Sequence, residues 1–388
     1  MTLGAATFAR GGGQRVPASR IAEAVCAGFG AIAILLALLA NHDWLDRHLL
    51  PQMFMPRARQ ELIWSIERSV AIAIGLALIF PARRHVGRIV RAGRGGELAL
   101  SVLSFAVATG LALFASEAVL RTADWEKLER WVAEEEPLRR ADPMLGWVNS
   151  PNRVGFETYD GRMIRYDLDT EGRRIADLHH PIDPARPSIL FAGESILFGF
   201  RLNWNETAAA RIGAATGAQT VNLSVNGYGT DQEWLRVRHT LPHFGRTKAV
   251  VALFAPMMIE RSLDSHRPRL DADLRWHAAE PGWRLGKLLR KLLLYHSAAR
   301  VDSGIAATRA GLVAIVKAAG ARGAQPLILV PEIGPEQPIE RRLREQVLAG
   351  LPYVLVQIDP TWTIAGDGHP DARANAAMAD AVIRALRR

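Results

Sequence analysis

The sequence predicts an α/β protein: a doubly wound parallel sheet of five strands, preceded by an all-α transmembrane region. Three observations carry this expectation. Short, nearly uninterrupted apolar runs recur between residues 188 and 358, with helical stretches between them. Such runs mark strands buried on both faces, as parallel strands under two layers of helices are. Before residue 122 lie three apolar segments close to the ~20 residues that cross a bilayer core. The charge is also divided between the two halves. Of the formal +9 on 388 residues, residues 1–121 hold 13 Arg, no Lys and 7 acidic residues, a surplus of +6. The other 267 residues carry +3. A nucleic-acid surface would gather its cations on the folded domain, so the charge reads as a topology signal and no nucleic-acid partner is expected.

The membrane region spans residues 1–121, with transmembrane helices expected at about 21–40, 62–80 and 98–118. The first segment has Glu23 as its only charge, and the third is uncharged over 98–115. The second is interrupted by Glu67 and Arg68. An ionised residue at the bilayer centre costs about 2.5–3.5 kcal/mol, but these two lie near one end, from which Arg68 can snorkel to the headgroups. The connection 81–96 carries Arg83, Arg84, Arg88, Arg91 and Arg94 and no acid, and the N-terminal tail has Arg10, Arg15 and Arg20. With three spans, both basic regions lie in the cytoplasm and the rest of the chain lies outside, periplasmic or extracellular. Two readings compete. A cleaved signal peptide would have an overlong lead and no small residue at the −3 position before residue 40. An amphipathic surface hairpin at 62–80 would move the C-terminal half to the cytoplasm. The lone cysteine, Cys26, excludes an intrachain disulfide and a cysteine metal cluster.

Residues 122–187 are expected to form a juxtamembrane stalk and lead-in. A charged helical stretch ends at Pro137, and a segment rich in Gly and Pro then forms short strands or a cap. From 188 to 388 the expected strands are 188–192, 220–225, 249–255, 326–330 and 353–358. The expected helices are 205–216, 230–241, 303–320, 336–349 and 371–387. Residues 260–302 exceed a plain crossover and read as an insertion that walls the site. Doubly wound sheets place their sites at the carboxyl ends of the strands.

Three loops fall there. The first is Gly193-Glu194-Ser195-Ile196-Leu197-Phe198-Gly199, where Gly193 permits a turn that a Cβ obstructs. Taken alone, a serine after a strand is more often an N-cap. The second is Asn222-Leu223-Ser224-Val225-Asn226-Gly227-Tyr228-Gly229-Thr230-Asp231-Gln232, in which the Gly227 N–H can help bind an oxyanion. Alone it reads as a turn and a helix cap. The third is Gly366-Asp367-Gly368-His369-Pro370-Asp371. Neutral imidazole suits removal of a serine proton, and Asp367 can fix its tautomer. Alone this is a polar loop with a capping carboxylate.

Together the order Gly-Glu-Ser, Asn-Gly-Tyr-Gly-Thr-Asp-Gln and Asp-Gly-His-Pro resembles the bacterial SGNH/GDSL hydrolase superfamily over about residues 140–388. Asp142-Pro143-Met144-Leu145-Gly146-Trp147 looks like the lead-in of many bacterial members. The resemblance implies the SGNH hydrolase fold, which is flavodoxin-like, with Ser195 as nucleophile, His369 as base and Asp367 as its partner. It also implies an oxyanion hole from the Ser195 and Gly227 amides, and substrate contacts from Glu194, Asn226 and Met257. The implied reaction is hydrolysis of acyl esters, often on acetylated glycans in envelope-anchored members, without cofactor or metal.

The chain departs from the family in three places. Glu194 stands for the usual Asp, and one residue rather than two separates Asp367 from His369, a spacing that acetyl-transferring relatives tolerate. The third block, Phe254-Ala255-Pro256-Met257-Met258-Ile259-Glu260, lacks the Asn that donates to the oxyanion, and losing one such donor costs about 10²–10³ in rate. Three functions therefore stay open: a serine esterase on an acylated carbohydrate or other ester, an O-acyltransferase on an envelope polysaccharide, and a degenerate domain that binds without turnover. The acyltransferase needs an acyl donor, which a membrane partner docked on the basic half would supply. Among other residues, Glu332 can line the site but reads first as a solvated loop acid, and His266, Arg267 and Arg269 can contact a polar substrate but read first as a solvated face. Trp276 and Trp283 fit the insertion's own small core, and His179 and His180 have no partners at metal-ligand spacing.

Overall fold

The computed structural model describes residues 16–51, 57–122, 136–280, 282–286 and 295–387. The chain forms two compact units, one ending at Thr122 and one from Ala123 onward that also takes in 52–54. The helical stalk expected over 123–135 lies outside the described residues.

The first unit is helical. Helix α1 (Ala18–Leu39) packs on α3 (Arg57–Ala77). A Cβ on Gly30 would come within 2.5 Å of the Gly75 carbonyl, so a glycine is needed at that crossing. Close backbone approach at small residues is how helices associate where no water drives them together. The short α2 (His42–His48) is capped by Asn41, whose side chain accepts from the Trp44 amide at 2.9 Å.

The arginine-rich stretch after residue 80 is mostly helix rather than the connection expected. A π turn over Leu78–Ala82 joins α3 to α4 (Arg83–Arg91), so that one helix runs Arg59–Arg91. In the wide turn the Arg83 amide donates to the Leu78 carbonyl, which accommodates Pro81, a residue with no N–H to give. Arg68, expected to reach for headgroups, instead donates from Nε to the Ala37 carbonyl at 2.7 Å. Helix α5 (Gly95–Thr122) completes the unit.

Among the described residues, four helices are long and apolar enough to cross a membrane: Ala18–Leu39, Arg59–Arg91, Gly95–Thr122 and Ala298–Ala321. The first three leave large apolar side chains open, including Leu36, Ile66, Phe105 and Phe114. The fourth buries Leu312, Ile315 and Ala319 in the second unit.

The second unit is built on a mixed sheet of eight strands, wider than the five expected. In chain order the strands are β3 (Arg153–Tyr159), β4 (Arg162–Leu168), β5 (Arg174–Ile175), β6 (Ser188–Ala192), β7 (Gln219–Asn222), β8 (Thr247–Leu253), β11 (Gln325–Ile333) and β12 (Tyr353–Ile358). Across the sheet they run β12-β11-β8-β6-β7-β5-β4-β3. Strands β6, β7, β8, β11 and β12 pair in parallel. The extra three come from the lead-in, which joins antiparallel rather than capping the sheet. Two small hairpins stand apart: β1 (Arg139–Asp142) with β2 (Gly146–Asn149), and β9 (Arg269–Leu270) with β10 (Trp276–His277) inside the insertion.

All five residues of β6 are buried, as a strand covered on both faces requires. Alternate side chains divide between the layers. Ile189 and Phe191 pack with Val251, Leu329 and Ile358 under α7 (Ala208–Thr216) and α12 (Ala372–Leu386). On the other face, α8 (Thr230–Thr240) packs on β6, and α10 (Ala298–Ala321) packs on β8, β11 and α8. A Cβ on Gly311 would meet the Thr230 carbonyl at 2.9 Å, which fixes how closely α10 crosses α8. Strand β7 ends at Asn222, earlier than expected, because the Asn222 side chain turns on its own backbone. It accepts from the Ser224 amide and donates to the Leu197 carbonyl at 2.9 Å.

Behind the first loop lies Arg174, with no exposed surface. Its guanidinium donates to the carbonyls of Phe198 at 2.8 Å, Gly199 at 2.5 Å and Leu202 at 2.5 Å, and lies within 5 Å of the ring centres of Tyr166 and Phe198. Burial lowers its pKa to about 10, yet the charge persists at neutral pH. Each buried acceptor left unmade costs about 1–3 kcal/mol. Arg174→Met is expected to destabilise the second unit by about 3 kcal/mol or more, read as a fall in the urea midpoint of tryptophan fluorescence.

Candidate active site

The three loops meet at the carboxyl edge of β6, β7 and β12. Ser195 opens α6 (Ser195–Phe198), directly after β6. A Cβ on Gly193 would press on Leu197 at 2.8 Å, so this tight strand-to-helix turn needs a glycine. The second loop is tied to the first, since the Val225 amide donates to the Gly193 carbonyl at 3.2 Å. The third follows β12 and enters α12 through Asp371, whose side chain caps the Arg373 and Ala374 amides.

Ser195, His369 and Asp367 stand in one line. Ser195 Oγ is 2.8 Å from His369 Nε2, and His369 Nδ1 is 2.5 Å from Asp367 Oδ1. Burial opposes ionisation of Asp367, but the hydrogen bond and charge of His369, and the charge of Arg201, hold its carboxyl below the ordinary range. An imidazole so placed can take the hydroxyl proton while the carboxylate stabilises the cation that forms.

Gly227 has φ +82° and lies against Trp147, whose Cζ2 would be 3.3 Å from an added Cβ. Trp147 Nε1 donates to the Asn226 carbonyl at 3.0 Å, so the lead-in motif buttresses this loop. The Ser195 and Gly227 amides donate to no acceptor among the described residues. The Asn226 Oδ1 atom is buried and lacks a hydrogen bond among them.

Glu194, expected to contact substrate, is 1% exposed. Its Oε2 accepts from Ser195 Oγ at 2.5 Å and lies 3.4 Å from Arg261, while Oε1 accepts from the Ile196 amide. Burial raises its pKa, but the Arg261 charge and these hydrogen bonds prevail and leave it below the ordinary value. Met257 begins α9 (Met257–Ser262), half-buried, with Sδ 3.8 Å from Arg261 Nη2. Arg261 thus occupies the region of the third block, and it also donates to the Tyr228 carbonyl at 2.7 Å.

Arg267 does not lie on a solvated face. It is 6% exposed and donates to Gln232 Oε1 at 2.8 Å and to the Gly227 carbonyl at 3.2 Å. His266 is hemmed in beside Asp264, and Arg269 pairs with Glu280. Trp276 and Trp283 are exposed rather than core. Burial, then the charges of Glu340 and Glu336, push Glu332 up to about 7, on the β11 edge facing α11 (Pro338–Leu348). His180 pairs with Asp177, and no cluster suited to a metal occurs among the described residues.

Sequence spacing alone gave no sign of Arg201, Glu157, Arg261 or Glu233. Arg201 joins Asp367 across 166 positions and Glu157 across 44. Glu233 sits in the first turn of α8, 1% exposed. Burial, and the neighbouring charges of Glu194 and Asp231, push its carboxyl well above the ordinary value against the pull of Arg261. Two neighbouring acids are therefore driven apart, Glu194 held below the ordinary value and Glu233 pushed above it. A carboxyl that holds its proton more tightly when folded costs stability as pH rises from the ordinary value of 4.5 toward the folded one. Glu233→Gln removes that cost. It is expected to raise the thermal unfolding midpoint near pH 8 and to leave it unchanged near pH 4.

No family model matches the sequence. No curated protein matches it either. Among solved structures, a GDSL-like lipase from Bacteroides thetaiotaomicron is 14% identical, with a TM-score of 0.31 over 52% of this chain and 88% of its own. An acetyl xylan esterase from Butyrivibrio proteoclasticus is 11% identical, with a TM-score of 0.33 over 54% and 65%. A family two carbohydrate esterase from Cellvibrio japonicus is 12% identical, with a TM-score of 0.31 over 60% and 80%.

Proposed function

We propose that the chain is a membrane-anchored serine esterase of SGNH/GDSL type, acting on acyl, above all acetyl, esters of an envelope carbohydrate. The observation that carries this reading is the line from Ser195 Oγ through His369 to Asp367. Ser195 Oγ attacks the acyl carbonyl carbon while His369 Nε2 takes its proton. The oxyanion that forms meets the Ser195 and Gly227 amides, donors that need no rearrangement to receive it. Collapse expels the sugar alkoxide, which takes the proton from His369 and leaves an acyl-Ser195. Water, activated by the same imidazole, then releases the acid and restores the serine.

Helices Ala18–Leu39, Arg59–Arg91 and Gly95–Thr122 serve as three spans, which the open apolar side chains support, since such surface is costly in water. The arginines of α4 then mark the cytoplasmic side, and the catalytic unit lies outside. The single residue between Asp367 and His369 favours a second reading, O-acyl transfer to a polysaccharide hydroxyl in place of water.

Purified full-length chain is expected to hydrolyse p-nitrophenyl acetate, and a fluorophosphonate is expected to modify Ser195. Ser195→Ala should lose at least about 10³-fold in kcat/KM. Equal rates in wild type and variant would refute Ser195 as nucleophile. Donor-dependent transfer to a glycan that outruns hydrolysis would favour the second reading.

A further inference from the structure

Asp367 has two carboxylate oxygens, and His369 uses one. The other, Oδ2, accepts from Arg201 Nη1 at 2.6 Å. Arg201 reaches in the opposite direction through Nε to Glu157 Oε1 at 3.1 Å on β3. Its backbone is held at φ +59°, a region that side chains other than glycine rarely adopt. That strain is retained because the surroundings over-determine the residue. The Arg201 amide donates to the Tyr166 hydroxyl at 2.9 Å, and the same hydroxyl donates to Glu157 Oε2 at 3.1 Å. The guanidinium lies 3.7 Å from the centre of the Tyr159 ring, whose hydroxyl donates to the Ala365 carbonyl two residues before Asp367. Phe200 meets the edge of the His369 ring at 5.1 Å.

We propose that Arg201 is a positioning residue for the reaction: braced on Glu157 and Tyr159 of the lead-in hairpin, it fixes the plane of the Asp367 carboxylate and thereby the imidazole. This rests on the proposed roles of Ser195 and His369. One acceptor oxygen per partner leaves the carboxylate a single orientation, and reacting groups misplaced by about 1 Å can lose about 10²-fold in rate. The cation also opposes protonation of the imidazole through Asp367. The charged and titratable groups that face this pair are Glu194 with Arg261 from one side, and Arg201, Glu157, Tyr159 and Tyr166 from the other.

The test measures the second-order rate of fluorophosphonate labelling against pH, on full-length chain in detergent, with thermal unfolding to confirm folding. Arg201→Met is expected to label about 10- to 100-fold more slowly at its plateau. The midpoint of its acid limb should move up by about half a unit or more, since the opposing cation is gone. Arg201→Lys restores the charge, so it should keep the wild-type midpoint and recover part of the rate. Glu157→Gln removes an anion from the far side of the guanidinium and should move the midpoint down. This opposite sign is not expected of residues that serve folding alone, and it keeps the test open if Arg201→Met fails to fold. A wild-type chain that takes no label sinks the proposed function, and this inference with it. A labelled wild type with unshifted midpoints and unchanged rates in the folded variants sinks the inference alone.

Discussion

The bond between Ser195 and His369 joins residues 174 positions apart, and it exists only because parallel strands deliver their following loops to a common edge. Every strand from β6 to β12 in the parallel part of the sheet contributes a carboxyl end there. The loops could still miss each other by several ångströms. They are drawn together by specific ties: Val225 to Gly193 between the first two, and Arg201 to Asp367 between the first and third. Arg174 holds the carbonyls of the same segment that carries Arg201. A fully buried cation, costly to desolvate, thus sits where its hydrogen bonds determine the shape of the nucleophile's loop.

The site also concentrates buried acids around that serine. Glu194, Asp231 and Glu233 are each nearly without exposed surface, and Arg261 and Arg267 run among them. Two guanidiniums stand among three carboxyl groups, and burial with the charges of Glu194 and Asp231 pushes the Glu233 carboxyl well above its ordinary value. The Ser195 hydroxyl lies within hydrogen-bonding reach of both Glu194 Oε2 and His369 Nε2, but has one proton to give. The Glu194 carboxylate reaches both the Ile196 amide and the serine oxygen.

Much of this was legible in the sequence. The run SILFA could hardly be anything other than a strand buried on both faces, and its observed limits coincide with the expected ones. The three loops announced themselves by glycines beside a serine, an asparagine and a histidine. The lead-in was not legible as part of the main sheet, because β5 contributes only Arg174 and Ile175 and its pairing partner β7 is distant in the chain. A two-residue strand has no periodicity to read. Arg267 was misread for a related reason. A long cationic side chain on an insertion is ordinarily solvated, and only the fold shows Gln232 waiting for it. The arginines of α4 were misread as a loop because Pro81 normally ends a helix, and the π turn that absorbs it has no local signature.

The antiparallel strands added by the lead-in have a consequence for modularity. Ser195, His369 and Asp367 all lie after residue 188, yet Arg201, which donates to Asp367, leans on Glu157 and Tyr159, which precede it. The lead-in strands are therefore structurally part of the scaffold around these three residues. A chimera that joined residues 188–388 to a foreign leader would carry Ser195, His369 and Asp367 without the strand on which Arg201 rests. Divergence between homologues of this chain should accordingly couple positions 157, 159 and 201, even though no boundary drawn from strand periodicity would group them.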